Sequence, residues 1–195
     1  MAAFLRTHRR RAGLTLEALA DRTGLTKSYL SKIERGLSTP SIAVALAIAD
    51  ALDTDVSLLF SDKADDSAMT MERRDERAVV DESASAATYD PIATRMRRKA
   101  MQPFIVHPTT EPDSPFMEHS GEEFIFVRSG AVEVTVPNQT LRLDEGDSLY
   151  FHSDTPHRVR SISTPRATLL VVVHDRGDDD GASTGHSPRP CGPTA

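Results

Sequence analysis

A chain of 195 residues, 38% hydrophobic and 27% charged, is long enough for one or two globular domains and has too ordinary a composition for a fibre or a wholly unfolded chain. No apolar run approaches the ~20 residues of a membrane span, and the start, MAAFLRTHRRRAG, lacks the apolar stretch of a secretory signal. The single cysteine, Cys191, excludes an internal disulfide and makes a reducing cytoplasm the expected compartment, while the net charge of −6 hides a basic N-terminal region.

In chain order, Phe4–Ala12 reads as a first helix. Thr15 is a good N-cap for a second, with Glu17 in its first turn and Leu16, Leu19 and Ala20 on one apolar face. Gly24 ends it, and Thr26 caps a third helix that turns Leu30 and Ile33 inward and leaves Lys27, Ser28, Ser31 and Lys32 outside. Gly36 is the next stop. Ser41 caps a fourth run whose stripe is Ala45, Leu46, Ala49 and Leu52, and Thr54 is expected to cap a short fifth helix, Val56 to Phe60. Eight Lys or Arg lie between Arg6 and Arg35 against Glu17, Asp21 and Glu34, a local balance of +5. A charged face is usually only a solvated one, but this excess and the turn spacing put Lys27 and Ser28 where the leading turn of a recognition helix meets bases.

Residues 4–60 resemble the XRE-type helix-turn-helix domain of Cro and lambda-like repressors, most closely in SKIERGLSTPS, Ser31–Ser41. The resemblance implies that Thr26, Lys27, Ser28 and Lys32 face base edges, that Tyr29 and Ser31 of the same helix also belong to the DNA-binding set, and that Arg35 and the Leu37–Ser41 loop lie near phosphates. It also implies that Arg9 and Glu34 form a structural ion pair. The expected partner is a double-stranded, palindromic operator.

Two composition shifts divide the chain into a reader at 1–60, a polar linker at 61–68, a second domain at 69–175 and a disordered Gly-, Pro-, Ser- and Asp-rich tail at 176–195, in which His186 is solvated. The second domain carries seven short β-rich runs: Phe104–His107, Glu123–Val127, Ala131–Val136, Thr140–Leu143, Ser148–Phe151, His157–Ile162 and Thr168–His174. Their spacing, broken by turn residues, predicts a sandwich or barrel. The fold class is therefore an all-α five-helix domain followed by an all-β one.

HSGEEFIFVRSG (His119–Gly130) and GDSLYFHSDTPHRV (Gly146–Val159) together resemble the two motifs of the cupin superfamily, which implies a jelly-roll barrel. His119, Glu123 and Gly130 fall in register in the first motif, with Met117 where the family has its first histidine. Gly146 and His157 match the second, while His152, Asp154 and Ser161 replace its Pro, Gly and Asn. His119, Glu123 and His157 either hold Fe, Zn, Ni or Mn or line a metal-free effector pocket. Glu122 should point to the other side of its strand from Glu123, and His107 and His152 read as surface or strand residues. The pocket is expected to take in Met117, Tyr150, Phe124 or Ile125, and Phe126 or Val127, with Phe126 the choice within the last pair.

The order of domains resembles the bacterial XRE–cupin transcription regulators. It implies a non-enzymatic cytoplasmic homodimer, joined through the cupin domain, whose operator affinity answers to a small-molecule effector or metal. The alternative is a non-haem iron oxygenase. Hydroxypropylphosphonate epoxidase shares the domain order and a His-x3-Glu…His iron site, but it also uses a lysine from its helical domain where this chain has Gly13.

Overall fold

The computed structural model describes residues 2–60, 68–76, 86–97 and 99–174. The expected linker over 61–67 and the tail from 176 lie outside them. No helix among the described residues is long and apolar enough to cross a membrane.

The N-terminal half contains α1 (Ala2–Arg11), α2 (Leu16–Thr23), α3 (Lys27–Glu34) and α4 (Ile42–Ala51). The caps explain the boundaries. Thr15, Thr26 and Ser41 each have extended backbone and accept an N–H from the third residue on, at 3.0, 3.2 and 3.3 Å. Gly24 closes α2 in the left-handed conformation, φ 67°, which costs glycine little. Leu5, Leu19, Leu30, Ile33, Ala45, Ile48 and Leu59 are at most 1% exposed and make the core. Each large member contributes about 1.5–3 kcal/mol by leaving water.

The expectation of five helices is corrected here. Four α-helices are followed by a single 3₁₀ turn, Val56–Leu59. Asp55 rather than Thr54 caps it, accepting the Ser57 N–H at 2.8 Å. Only four residues lie between that cap and Phe60, too few to close successive α-helical bonds.

The strand ladders of the C-terminal half are antiparallel, and Thr109 adds one isolated parallel bridge to Arg160. The strands are β1 (Thr88–Pro91), β2 (Met101–His107), β3 (Glu122–Ser129), β4 (Ala131–Val136), β5 (Gln139–Asp144), β6 (Ser148–His152), β7 (Arg158–Ser161) and β8 (Thr168–His174). They form a five-stranded sheet, β1-β2-β8-β3-β6, and a three-stranded sheet, β5-β4-β7. Alternation along β3 and β8 buries Ile125, Val127, Leu169, Val171 and Val173, and Val132 and Val134 of β4 complete the core. The seven expected strands are present with small shifts of boundary, and β1 is additional. Between Phe60 and β1 the described residues hold only a 3₁₀ turn, Arg74–Glu76.

Tyr89 of β1 joins the halves. Its ring meets Phe60 edge-on at 6.1 Å and Phe104 of β2 at 5.8 Å, so an aromatic chain runs from the end of the helical domain into the barrel core. Nearby, burial lowers the pKa of Lys99 against the opposing pull of Asp55 and Glu72, and its Nζ donates to the Ala93 carbonyl at 3.0 Å.

Candidate functional site

The first site is the outer side of α3. With Leu30 and Ile33 fixed inward, helical geometry leaves Thr26, Lys27, Ser28, Lys32 and Arg35 exposed. Lys27 forms an ion pair with Glu17 of α2, and both side chains are well exposed, so water can replace the contact readily. The Lys27 ammonium in turn lowers the pKa of Glu17. The Arg35 Nε donates to the Ser31 carbonyl at 3.2 Å and follows the end of α3.

Tyr29 and Ser31 differ from the rest of the expected set. Both are half-buried, and Tyr29 packs against the hydrophobic core and lines a cleft toward the barrel. Tyr29 therefore belongs to the side of α3 turned from its exposed basic face. Its neighbour Leu30 points into the core, and one residue of helix rotates a side chain by only about 100°.

Behind α3, Arg9 clamps the motif. Its Nε and Nη2 donate to the two Glu34 carboxylate oxygens at 2.6 and 3.1 Å, and its Nη1 donates to the Leu14 carbonyl at 2.7 Å. The Glu34 hydrogen bond raises the Arg9 pKa against the opposing cost of burial. A forked pair of this kind fixes the angle between α1 and α3. It is scaffold, as the sequence implied.

The second site is a cluster of three side chains at the start of β3 and just before β7. His119, Glu123 and His157 are nearly buried, at 9, 8 and 2% exposure. The His119 Nε2 lies 3.0 Å and the His157 Nε2 3.6 Å from Glu123 Oε2, and all three ligand atoms fall within 4.8 Å of one another. The backbone sets the tautomers. His119 Nδ1 donates to the Ser120 carbonyl at 3.1 Å and His157 Nδ1 to the Thr155 carbonyl at 2.9 Å, because a carbonyl can only accept. In neutral rings both Nε2 lone pairs are thereby aimed at a carboxylate oxygen. Three electron-rich atoms with little access to water require a positive charge between them, a proton or a metal ion. Two imidazoles and one carboxylate, each ring held by a carbonyl, are a donor set that can hold a divalent metal.

Phe151 was not anticipated here. It pairs with Glu123 across β3 and β6, and its ring meets that of His157 at 4.9 Å. Strand register was the signal that could have found it.

The expected effector residues separate. Met117 stays beside the triad, since its backbone exchanges two hydrogen bonds with His157, at 2.8 and 2.9 Å. Phe126 and Tyr150 do not line the interior, which corrects that expectation. Glu123, Ile125 and Val127 occupy the inward positions of β3, so Phe126 faces outward beside Ile105 and Leu170. Tyr150 is 62% exposed, and its hydroxyl donates to Glu122 Oε2 at 2.7 Å on that outer face. Exposed His152 lies 3.7 Å from the other Glu122 oxygen. His107 is a buried strand residue within 3.4 Å of the Thr168 hydroxyl.

Comparisons with known proteins match the two halves separately. A helix-turn-helix domain family matches residues 1–59 and a cupin domain family residues 104–173. An uncharacterized HTH-type transcriptional regulator of Methanothermobacter thermautotrophicus is 42% identical over 52 residues, covering 27% of this chain and 75% of the relative. HTH-type transcriptional regulator SutR of Escherichia coli is 24% identical over 175 residues, covering 89% of this chain and 94% of SutR. The chain spans only 41% of the length of two Mycobacterium tuberculosis regulators that it matches at 40% identity. Among solved structures, an HTH_3 family transcriptional regulator from Vibrio cholerae superposes with a TM-score of 0.61 at 25% identity, covering 89% of this chain and 93% of that one. Hydroxypropylphosphonic acid epoxidase from S. wedmorenis superposes more loosely, with a TM-score of 0.46 at 24% identity over 88% of this chain and 95% of the enzyme.

Proposed function

The chain belongs to the helix-turn-helix transcriptional regulators that carry an XRE-type reader ahead of a cupin domain, and we propose on that premise that it is an operator-binding regulator whose cupin barrel responds to a divalent metal or a small metabolite. The observation that carries the reading is the two-sided α3: Leu30 and Ile33 are locked in the core while Thr26, Lys27, Ser28 and Lys32 stand in solvent. Lys27, Ser28 and Lys32 select bases in the major groove, and Arg35 with the Leu37–Ser41 loop meets phosphates. The Arg9–Glu34 clamp keeps the reading helix at one angle.

His119, Glu123 and His157 would hold the metal, which when bound supplies the positive charge that their converging lone pairs call for. The two backbone carbonyls keep both Nε2 atoms aimed, and Phe151 restricts the ring of His157. Met117 exchanges hydrogen bonds with the His157 backbone, so a change at the triad moves the segment before β3. Two chains pair through the outer face of the five-stranded sheet, where Phe126, Ile105 and Leu170 are half-buried, and so present two α3 helices to a palindrome with half-sites about 34 Å apart. The metal or metabolite shifts operator affinity only as far as it favours one arrangement of the readers over another.

Fluorescence anisotropy on the protein's own upstream DNA tests the reading. Binding should weaken steeply as salt rises, and Lys27→Ala and Lys32→Ala should broaden site choice. A protein that shows no preference for any neighbouring intergenic sequence at low salt is not this regulator.

A second reading, a cytoplasmic iron oxygenase, is favoured by one observation, the two-histidine, one-carboxylate donor set. Against it, the position compared above with the epoxidase lysine is Gly13 at φ 69°, a conformation that strains any side chain. Oxygen consumption that is stoichiometric with a substrate and abolished in His119→Ala would install this reading in place of the first.

A further inference from the structure

Outside the triad, a cleft of 940 Å³ lies between the two halves. One wall is helical, with Tyr29 of α3 and Pro40 and Val44 around the start of α4. The other comes from the barrel, with Tyr89, the 111–118 segment and Arg158. Neither histidine of the triad, nor Glu123, lines it. Its size suits a small organic molecule.

Two observations define what would bind. The first is the Tyr89 hydroxyl, which is buried and has no hydrogen-bond partner among the described residues. Its ring is fixed edge-on between Phe60 and Phe104, so it cannot swing out to find one. Burial raises the hydroxyl's pKa, which keeps it a neutral phenol. An orphaned polar atom of this kind is costly until something in the cleft supplies its hydrogen bond.

The second is charge. The barrel wall carries the carboxylates of Glu111, Asp113 and Glu118. Among the described residues its one cation is Arg158, whose guanidinium lies 4.9 Å over the Phe116 ring and whose Nη1 donates to the Ser114 carbonyl at 3.3 Å, both in the same wall, so three carboxylates face one guanidinium. The amino end of α4 in the opposite wall attracts an anion weakly, but the Ser41 hydroxyl already takes the Val44 N–H there. Three carboxylates outweigh it.

We propose that this cleft is a second ligand site, distinct from the barrel interior, for a small primary amine with an aromatic or other apolar body. The body packs against Tyr29, Pro40 and Phe116, the ammonium faces the carboxylate wall, and the Tyr89 oxygen accepts a hydrogen bond. Such a ligand touches α3 through Tyr29 and the segment next to the triad through Met117, so it bridges the two halves.

Isothermal titration of the full chain with phenethylamine tests this without DNA or metal, so its outcome is independent of the regulator reading. Phenethylamine should bind one per chain, and phenylacetate, which has a similar body with the opposite charge, at least about tenfold more weakly. Tyr89→Phe keeps the ring stacking and removes only the orphaned oxygen. Its thermal midpoint without ligand should equal or exceed that of the wild type, while phenethylamine affinity falls roughly tenfold, the worth of one hydrogen bond. Glu118→Gln should weaken the amine in the same direction. The proposal is overturned if phenethylamine gives no binding at millimolar concentration, if phenylacetate binds as well, or if Tyr89→Phe binds the amine as the wild type does.

Discussion

The two halves keep their chemistry in opposite places. In the helical half Lys27, Ser28 and Lys32 stand in water, and among the described residues the core beneath them is apolar apart from Ser57 and the Arg9–Glu34 clamp. In the barrel half His119, Glu123 and His157 are themselves interior residues, packed with Phe151 under the strands. Under the proposed function, reading and folding are separable in the first half and coupled in the second. A reader side chain can be lost at almost no structural cost, whereas a triad side chain cannot be changed without altering the polar balance of the barrel.

The comparison breaks hardest at shared core positions. Leu30→Ala should destabilise the helical half by about 2–5 kcal/mol, because a completely buried leucine leaves a cavity. Denaturant titration should show this loss in the helical signal, and DNA binding should vanish with it. Glu34→Ala comes next. It strands the Arg9 guanidinium, which is only 10% exposed, and should cost about 3 kcal/mol. A double-mutant cycle with Arg9→Ala isolates the pair, and near-additivity would mean that the clamp is not the coupling it looks to be.

The triad supplies the third test. If it holds a metal, chelation should lower the thermal midpoint of the wild type, since a ligand at 100 times its dissociation constant adds about 2.7 kcal/mol. Chelation should do nothing to His157→Ala. Metal analysis of both proteins checks the cause. In contrast, Lys32→Ala should change stability by less than about 0.5 kcal/mol while relaxing the choice of operator sequence. A Lys32→Ala protein that melts early would contradict the separation claimed for the helical half.

What the sequence disclosed follows the same division. Thr15, Thr26, Ser41 and Gly24 could be read directly, because a cap acts within three residues of itself. Asp55 was mistaken for its neighbour Thr54 because both residue types cap helices. The triad came from resemblance, since His119 and Glu123 fall in register with the first cupin motif and His157 with the second. Facing was harder. Phe126 and Val127 differ by one residue and thus by the whole thickness of the sheet, and only pairing with β6 and β8 decides between them. Strand β1 was invisible because its four residues are all half-buried, with no alternation, and it ends in Pro91, which is tolerable only because β1 is an edge. Tyr89 is informative only once Phe60 and Phe104 are brought to it from distant parts of the chain.

The smallest effect expected is a proton equilibrium in the helical half. His8 lies in the last turn of α1, where the helix dipole alone would favour its charged form. Burial, and after it the nearby Arg11 charge, lower its pKa below the usual 6.5 instead. The folded state then holds its proton less tightly than the unfolded one. Between the lowered pKa and 6.5 the unfolded chain binds more protons, so stability is complete above that window and declines as pH falls through it. Histidine C2-proton NMR resolves the causes. Arg11→Ala should move the His8 titration upward but leave it short of 6.5, because burial is the larger cause. Full return to that value would mean that the charge of Arg11, not the packing of α1, sets this equilibrium, and that even this partly covered side chain behaves like the exposed reader residues.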